Sequence, residues 1–197
     1  MTYDIILAGV GGQGVLSLAA IVARAAMIDG LVVRQSEVHG MAQRGGAVLA
    51  HLRISDKAIA GDLVPSGGAD MILAMEPLES LRYLSYLKVE GIVVTASEPF
   101  LNIPDYPGLE PLLAAIRALP RSVLVDAAGI AKEAGSPRAV NMALAGAASL
   151  LLPIALSSLE RGIDELFGGK DPQAAAINKK AFGLARESTA RARGASK

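Results

Sequence analysis

Apolar and polar positions alternate between two periods along this chain. Tyr3–Ala8 is a short apolar run that reads as the first strand. Val15–Asp29 follows with helical spacing, and Ala19, Ala20, Ala23 and Ala26 give it a small-residue face for close packing on a sheet. Gly30 ends that helix, as a C-terminal glycine should. Further strands are predicted over Leu31–Arg34, Ala47–Ile54, Asp70–Met75, Gly91–Ser97 and Ser122–Ala127. Helices are predicted from Pro77 to about Tyr86 and over Leu109–Leu119. From Ala128 the strand signals stop, and helices are predicted over Arg138–Leu152, Ser158–Phe167 and Pro172–Arg193. The pattern predicts an α/β, Rossmann-like fold: a mostly parallel sheet with helices on both faces and extra C-terminal helices. One domain is expected over residues 1–197, with the helices at about 157–193 as a cover or a partner-binding arm.

The first strand runs straight into Gly9-Val-Gly11-Gly12-Gln13-Gly14 and then into a helix. In that context the glycines permit a tight turn, close approach of backbone to a phosphate, and close packing of helix on strand. The helix N-terminus adds free N–H groups for an anion. Gly9, Gly11, Gly12, Gln13 and Gly14 are therefore candidate cofactor-binding residues. An NAD site also needs an acid at the end of the second strand. That strand ends Val33-Arg34-Gln35-Ser36, and Glu37 stands two residues too far along. Arg34 would tolerate a 2′-phosphate and joins the candidate set, which keeps an NADP-dependent reductase in view. A turn that only folds the chain is the other reading.

Ser36-Glu-Val-His-Gly-Met-Ala-Gln-Arg-Gly-Gly46 reads as a long, polar, Gly-rich loop, and long ordered loops are usually functional. Glu37, His39, Gln43 and Arg44 place acid, base, amide and cation within eight residues. His39 suits proton transfer near neutral pH, and Arg44 suits a bidentate hold on phosphate or carboxylate. Such a loop belongs at the carboxyl ends of the strands, beside the glycine turn, where open α/β sheets bind ligands. A subunit-interface network is the competing use. His51, inside a strand, reads as structural. Asp62 and Asp126 read as turn caps, and Glu76 as a dipole partner at a helix start. Asn141, in the first turn of an apolar helix, reads as a partner contact or a simple surface position.

Composition narrows these options. Nineteen basic and nineteen acidic residues cancel, so no overall field favours nucleic acid or an anionic membrane. The chain has no cysteine, which excludes disulfides and cysteine-ligated clusters within it. Two histidines without metal-ligand spacing argue against a zinc site. The 52% hydrophobic content against 19% charged implies a partner surface. The N-terminus has no basic region ahead of its apolar run, and Met142–Leu156 is interrupted by Gly146, Ser149 and Pro153, so neither leader nor membrane span is expected and the cytoplasm is the default. Neither a Gly-x-Ser-x-Gly elbow nor a phosphate loop ending in Gly-Lys-Ser/Thr occurs, which leaves hydrolase and nucleoside-triphosphatase chemistry without support.

Together the two glycine-containing segments resemble the small subunit of 2-oxoacid:ferredoxin oxidoreductases, also called the gamma subunit, and most of all its indolepyruvate branch. Ala69-Asp-Met-Ile-Leu-Ala-Met-Glu-Pro-Leu-Glu79, Leu81-Arg-Tyr-Leu and Asn141-Met-Ala-Leu-Ala-Gly-Ala147 support the likeness, which covers roughly residues 3–155. It implies oxidative decarboxylation of a 2-oxoacid, here an aryl pyruvate, with coenzyme A to acyl-CoA, carbon dioxide and reduced ferredoxin. It implies a hetero-oligomer whose large subunit holds thiamine diphosphate, magnesium and the iron–sulfur clusters, with ferredoxin met through the complex. This chain alone would then be inactive and bind no cofactor tightly. Its glycine turn with Arg34 or Arg44 would help hold coenzyme A phosphates, and Glu37, His39 and Arg44 would complete the active-site wall in a supporting role. A purely structural docking subunit is the remaining alternative.

Overall fold

In the computed structural model, which describes residues 1–39, 45–169 and 171–194, six strands build one sheet. They are β1 (Thr2–Val10), β2 (Val32–His39), β3 (Ala47–Ser55), β4 (Ala69–Ala74), β5 (Leu87–Ala96) and β6 (Ser122–Val125), ordered β2-β3-β1-β4-β5-β6 across the sheet. β1, β4, β5 and β6 run parallel. β3 lies between β1 and β2 and is antiparallel to both. The parallel sheet that strand–helix alternation predicts is thus present, with an antiparallel hairpin added at one edge.

Ile5-Ile6-Leu7-Ala8 explains why β1 sits near the centre, because it is apolar on both faces. Ile5 and Leu7 join one buried layer, while Ile6 and Ala8 join another on the opposite face. The first layer is covered by α1 (Val15–Ile28), α4 (Ala127–Ala134), α5 (Val140–Ala148), α6 (Leu156–Ile163) and α7 (Pro172–Gly194). The second is covered by α2 (Pro77–Arg82) and the turn after it, with α3 (Leu109–Arg117) packed beside α2. The C-terminal helices pack inward: Leu159, Ile163, Ala181, Phe182 and Ala185 are buried in the first layer. Asp29, at the end of α1, accepts from the Ala155 amide at 2.7 Å and from the Ser158 hydroxyl, tying α6 to α1.

β2 and α4 depart furthest from the sequence reading, and β5 starts at Leu87 rather than Gly91. β2 does not stop at Arg34 but runs to His39, because β3 pairs with it residue by residue up to His39 opposite Val48. Ser36, Glu37, Val38 and His39 are therefore strand residues. Their polar composition looks like loop, but an edge strand leaves its outer positions in water and tolerates polar residues. The helix α4 was not expected at all, although its signals are local. Asp126 accepts from the Gly129 amide at 2.8 Å, and Gly135 ends the helix at φ 115°. Within α1, Ala19 and Ala26 are buried, whereas Ala20 and Ala23 are only partly covered. No helix among the described residues is long and apolar enough to cross a membrane.

His51 has the structural role its strand position suggests. It is buried, its Nδ1 accepts from the Val64 amide at 3.1 Å, and its ring meets Tyr86 edge-on at 5.4 Å. Burial lowers its pKa below 6.5. A lowered folded value means that the unfolded chain takes up the proton first. Stability from His51 is then complete above pH 6.5 and is lost as pH falls from there to the folded value. Thermal melts should show a lower Tm at pH 5.5 than at pH 7.5, and His51→Gln should flatten that difference. An unchanged pH dependence in the variant would contradict this role.

Candidate functional site

The glycine turn is shaped by the chain's own packing. A Cβ on Gly9 would lie 2.7 Å from Val15 Cγ2 and 2.9 Å from Met75 Cβ, so glycine here lets α1 and β4 close on β1. Gly12 and Gly14 have φ of 102° and 88°, conformations that L side chains resist. The Gln13 side chain turns back to accept from the Val10 amide at 2.8 Å. The Gln13 amide donates to Val10 O at 3.0 Å, and the Gly11 amide to Gly46 O at 2.8 Å. The amides of Val10, Gly11 and Gln13 are thus used within the chain.

The turn and the β2–β3 hairpin meet at the carboxyl edge of the sheet, where the sequence reading placed them. Gly45 N–H donates to Gly11 O at 3.3 Å, so the two residues that lead into β3, Gly45 and Gly46, are both bonded to the glycine turn. Glu37 lies exposed on β2, opposite Ala50, and Gln35 Nε2 donates to its Oε2 at 3.5 Å. β2 ends at His39. Gln43 and Arg44 fall outside the described residues. Arg34 is not brought to this edge. It pairs in register with Arg53, level with Asp4, five residues or about 17 Å of strand from His39. Its Nε lies 3.8 Å from Asp62 Oδ1, with both side chains exposed. Because β2 is longer than predicted, its carboxyl end carries His39 where Arg34 was expected, and an NADP 2′-phosphate site built on Arg34 loses its geometry.

Several polar groups at this edge were missed or underread. Asn141 lines the glycine turn: its Nδ2 stands 3.2 Å from where a Gly14 Cβ would be. Glu76 does more than face a helix dipole. It is buried, its Oε1 accepts from the Glu79 amide at 2.5 Å, and its Oε2 accepts from the Tyr106 hydroxyl at 2.5 Å. Burial, and next the bond to Glu76, push the Tyr106 hydroxyl well above its ordinary range. Glu79 is also buried, and one oxygen accepts from Arg82 Nε at 3.0 Å. Burial raises the Glu79 carboxyl above 4.5, and Arg82 partly offsets this. Glu98, just beyond β5, is raised by burial, opposed by the Ser97 hydroxyl at 2.8 Å and reinforced by the Asp126 carboxyl. Asp126, read as the cap of a turn, caps the helix α4.

Nothing local in the sequence marks Asn102 or Tyr106, which lie in a Pro-containing connection between β5 and α3. Only the fold carries that connection back across the carboxyl edge. Asn102 Nδ2 donates to Gly45 O at 2.9 Å. No group of three or more His, Cys, Asp or Glu side chains among the described residues is placed to hold a metal ion.

Residues 4–188 match the pyruvate ferredoxin/flavodoxin oxidoreductase family. The chain is 38% identical over 179 residues to indolepyruvate oxidoreductase subunit IorB of Archaeoglobus fulgidus, covering 86% of this chain and 88% of that one. It is 31% identical over 166 residues to the pyruvate/ketoisovalerate oxidoreductases common subunit gamma of Pyrococcus abyssi, covering 82% and 85%. Among solved structures, the gamma subunit of a keto/oxoacid ferredoxin oxidoreductase from Geobacter sulfurreducens superposes with a TM-score of 0.71 at 26% identity, covering 96% of this chain and 99% of that one.

Proposed function

The chain belongs to the pyruvate ferredoxin/flavodoxin oxidoreductase family, as a subunit of a ferredoxin-dependent 2-oxoacid oxidoreductase, and from that premise we propose that its complex acts on an aryl pyruvate such as indolepyruvate. The observation that carries the choice of substrate is the likeness itself: 38% identity to an indolepyruvate subunit against 31% to a pyruvate/ketoisovalerate one, over similar lengths. The reaction is oxidative decarboxylation with coenzyme A to acyl-CoA, carbon dioxide and reduced ferredoxin.

The division of labour follows from the side chains. A cysteine-ligated cluster has no ligands in a chain without cysteine, and the described acids and histidines do not converge on a metal. Thiamine diphosphate, magnesium and the clusters belong on a partner subunit, and this chain contributes its carboxyl edge as one wall of the shared site. Glu37 on β2 faces that partner, and Arg44 takes a phosphate of coenzyme A. The glycine turn supports this wall through Gly11, Gly45 and Gly46.

Co-expression with the thiamine-binding subunit tests the reading. Ferredoxin or viologen reduction should be faster with indolepyruvate than with pyruvate or 2-oxoglutarate, and equal rates would refute the substrate. In the assembled complex Glu37→Gln should lower turnover about tenfold, below the range of a direct proton-transfer group because its role is supporting. Arg44→Ala should raise the KM for coenzyme A about tenfold through loss of a charge-assisted contact. Loss of assembly on gel filtration, with no separate effect on turnover, would instead make the hairpin a docking element.

A further inference from the structure

We infer that Asn102 is a positioning residue for the reaction, holding the seam between the glycine turn and the start of β3. The inference rests on the reading that this carboxyl edge walls the shared active site. Three hydrogen bonds define the seam. Gly11 N–H donates to Gly46 O at 2.8 Å, Gly45 N–H donates to Gly11 O at 3.3 Å, and Asn102 Nδ2 donates to Gly45 O at 2.9 Å. The first two bonds are made by glycines, one of them, Gly45, at φ 79° with open space beside it. Glycines bring no side chain to lock the arrangement, and their backbone loses the most freedom on being ordered. The Asn102 amide is the side chain that clamps it from outside, across 57 residues of sequence.

Asn102 is itself held in place. Its own amide donates to Phe100 O at 2.8 Å. Four residues on, Tyr106 donates to Glu76, which is 1% exposed and bonded through its other oxygen to the start of α2. Pro104 stands between the two anchors and Pro107 just beyond them, and both limit the backbone. The segment Ser97–Gly108 therefore works as a strap from the end of β5 to α3, fastened at Asn102 to the seam and at Tyr106 to the buried Glu76. A clamp of this kind acts through placement. An error of about 1 Å at a reacting centre lowers rates by as much as about a hundredfold.

The test uses Asn102→Ala and Asn102→Gln in the complete complex. Asn102→Ala should lower kcat about tenfold with KM values nearly unchanged, while hydrogen exchange at the Gly11 and Gly45 amides accelerates about tenfold. Tm should move little, because the bond is partly exposed. Asn102→Gln, which keeps an amide donor, should recover part of both effects. Unchanged exchange at Gly11 and Gly45 overturns the inference, whatever the turnover. Accelerated exchange with unchanged turnover overturns it too, by showing that the seam does not wall the reaction, and it refutes the functional reading of this edge at the same time. A fall in turnover with slow exchange retained would assign Asn102 another role.

Discussion

Gly146→Ala is expected to destabilise the chain by about 3 kcal/mol, at the upper end of what an added methyl does in a packed interior. A Cβ at Gly146 would lie 2.1 Å from Phe182 O and 2.8 Å from Phe182 C. The obstacle is the backbone of α7, so no rotamer change relieves it. α5 and α7 must separate, and that opens the layer where Met142, Ala143, Ala145, Ala181, Phe182 and Ala185 are buried. Ser149 Oγ, which donates to Gly146 O at 2.6 Å and accepts from Arg186 Nη1 at 2.8 Å, would move with it. Gly183→Ala, on α7 beside Phe182, provides the control. Nothing lies within 4 Å of its Cβ position, so alanine's better helix propensity should raise stability by about 1 kcal/mol. Thermal or guanidinium unfolding of the two variants side by side should give shifts of opposite sign. A Gly146→Ala melt within a degree of wild type would show that the two helices are not locked as described.

Arg53→Met should cost about 3 kcal/mol, the scale for removing one partner of a largely buried ion pair. Arg53 Nε and Nη2 donate to the two oxygens of Asp4 at 2.9 and 3.1 Å, with the Asp4 side chain 7% and that of Arg53 19% exposed. Its Nη1 also donates to the carbonyls of Gly61 and Leu63 at 3.1 and 3.2 Å, pinning the connection between β3 and β4. Methionine fills most of the space but leaves the Asp4 carboxylate without its bidentate partner. The Asp4 backbone amide is separately held, donating to Asp70 Oδ2 at 2.8 Å. The double variant Asp4→Asn, Arg53→Met should therefore be more stable than Arg53→Met alone, because the uncompensated charge is gone. Additive losses in chemical unfolding would mean that the pair contributes through shape rather than charge.

How far each feature was legible depends on the range of the forces behind it. The strand–turn–helix at Gly9–Gly14 is local: an apolar run, then glycines that alone adopt φ of 102° and 88°. It reads directly from the residues, and so do the Asp126 cap and the structural use of His51. The likeness of Ser36–Gly46 to one family was also readable, because it lies in residue identity. The secondary structure of that segment was not. Ser36–His39 is polar enough to look like loop, and only pairing with β3 makes it strand. That pairing lengthens β2 and leaves Arg34 level with Asp4, away from the turn it was expected to serve.

By itself, then, the sequence determined the alternation of elements, the apolar first strand, the glycine turn and the family. These follow from side-chain periodicity, backbone freedom at glycine and residue identity, all properties of neighbours along the chain. The tertiary structure alone decided which strand β2 pairs with, that Asn141 lines the glycine turn, and that Glu76 meets Tyr106 while Asn102 meets Gly45. Those contacts join residues 30 and 57 positions apart. No local preference encodes them, because each forms only after the sheet has brought its carboxyl ends to a common edge.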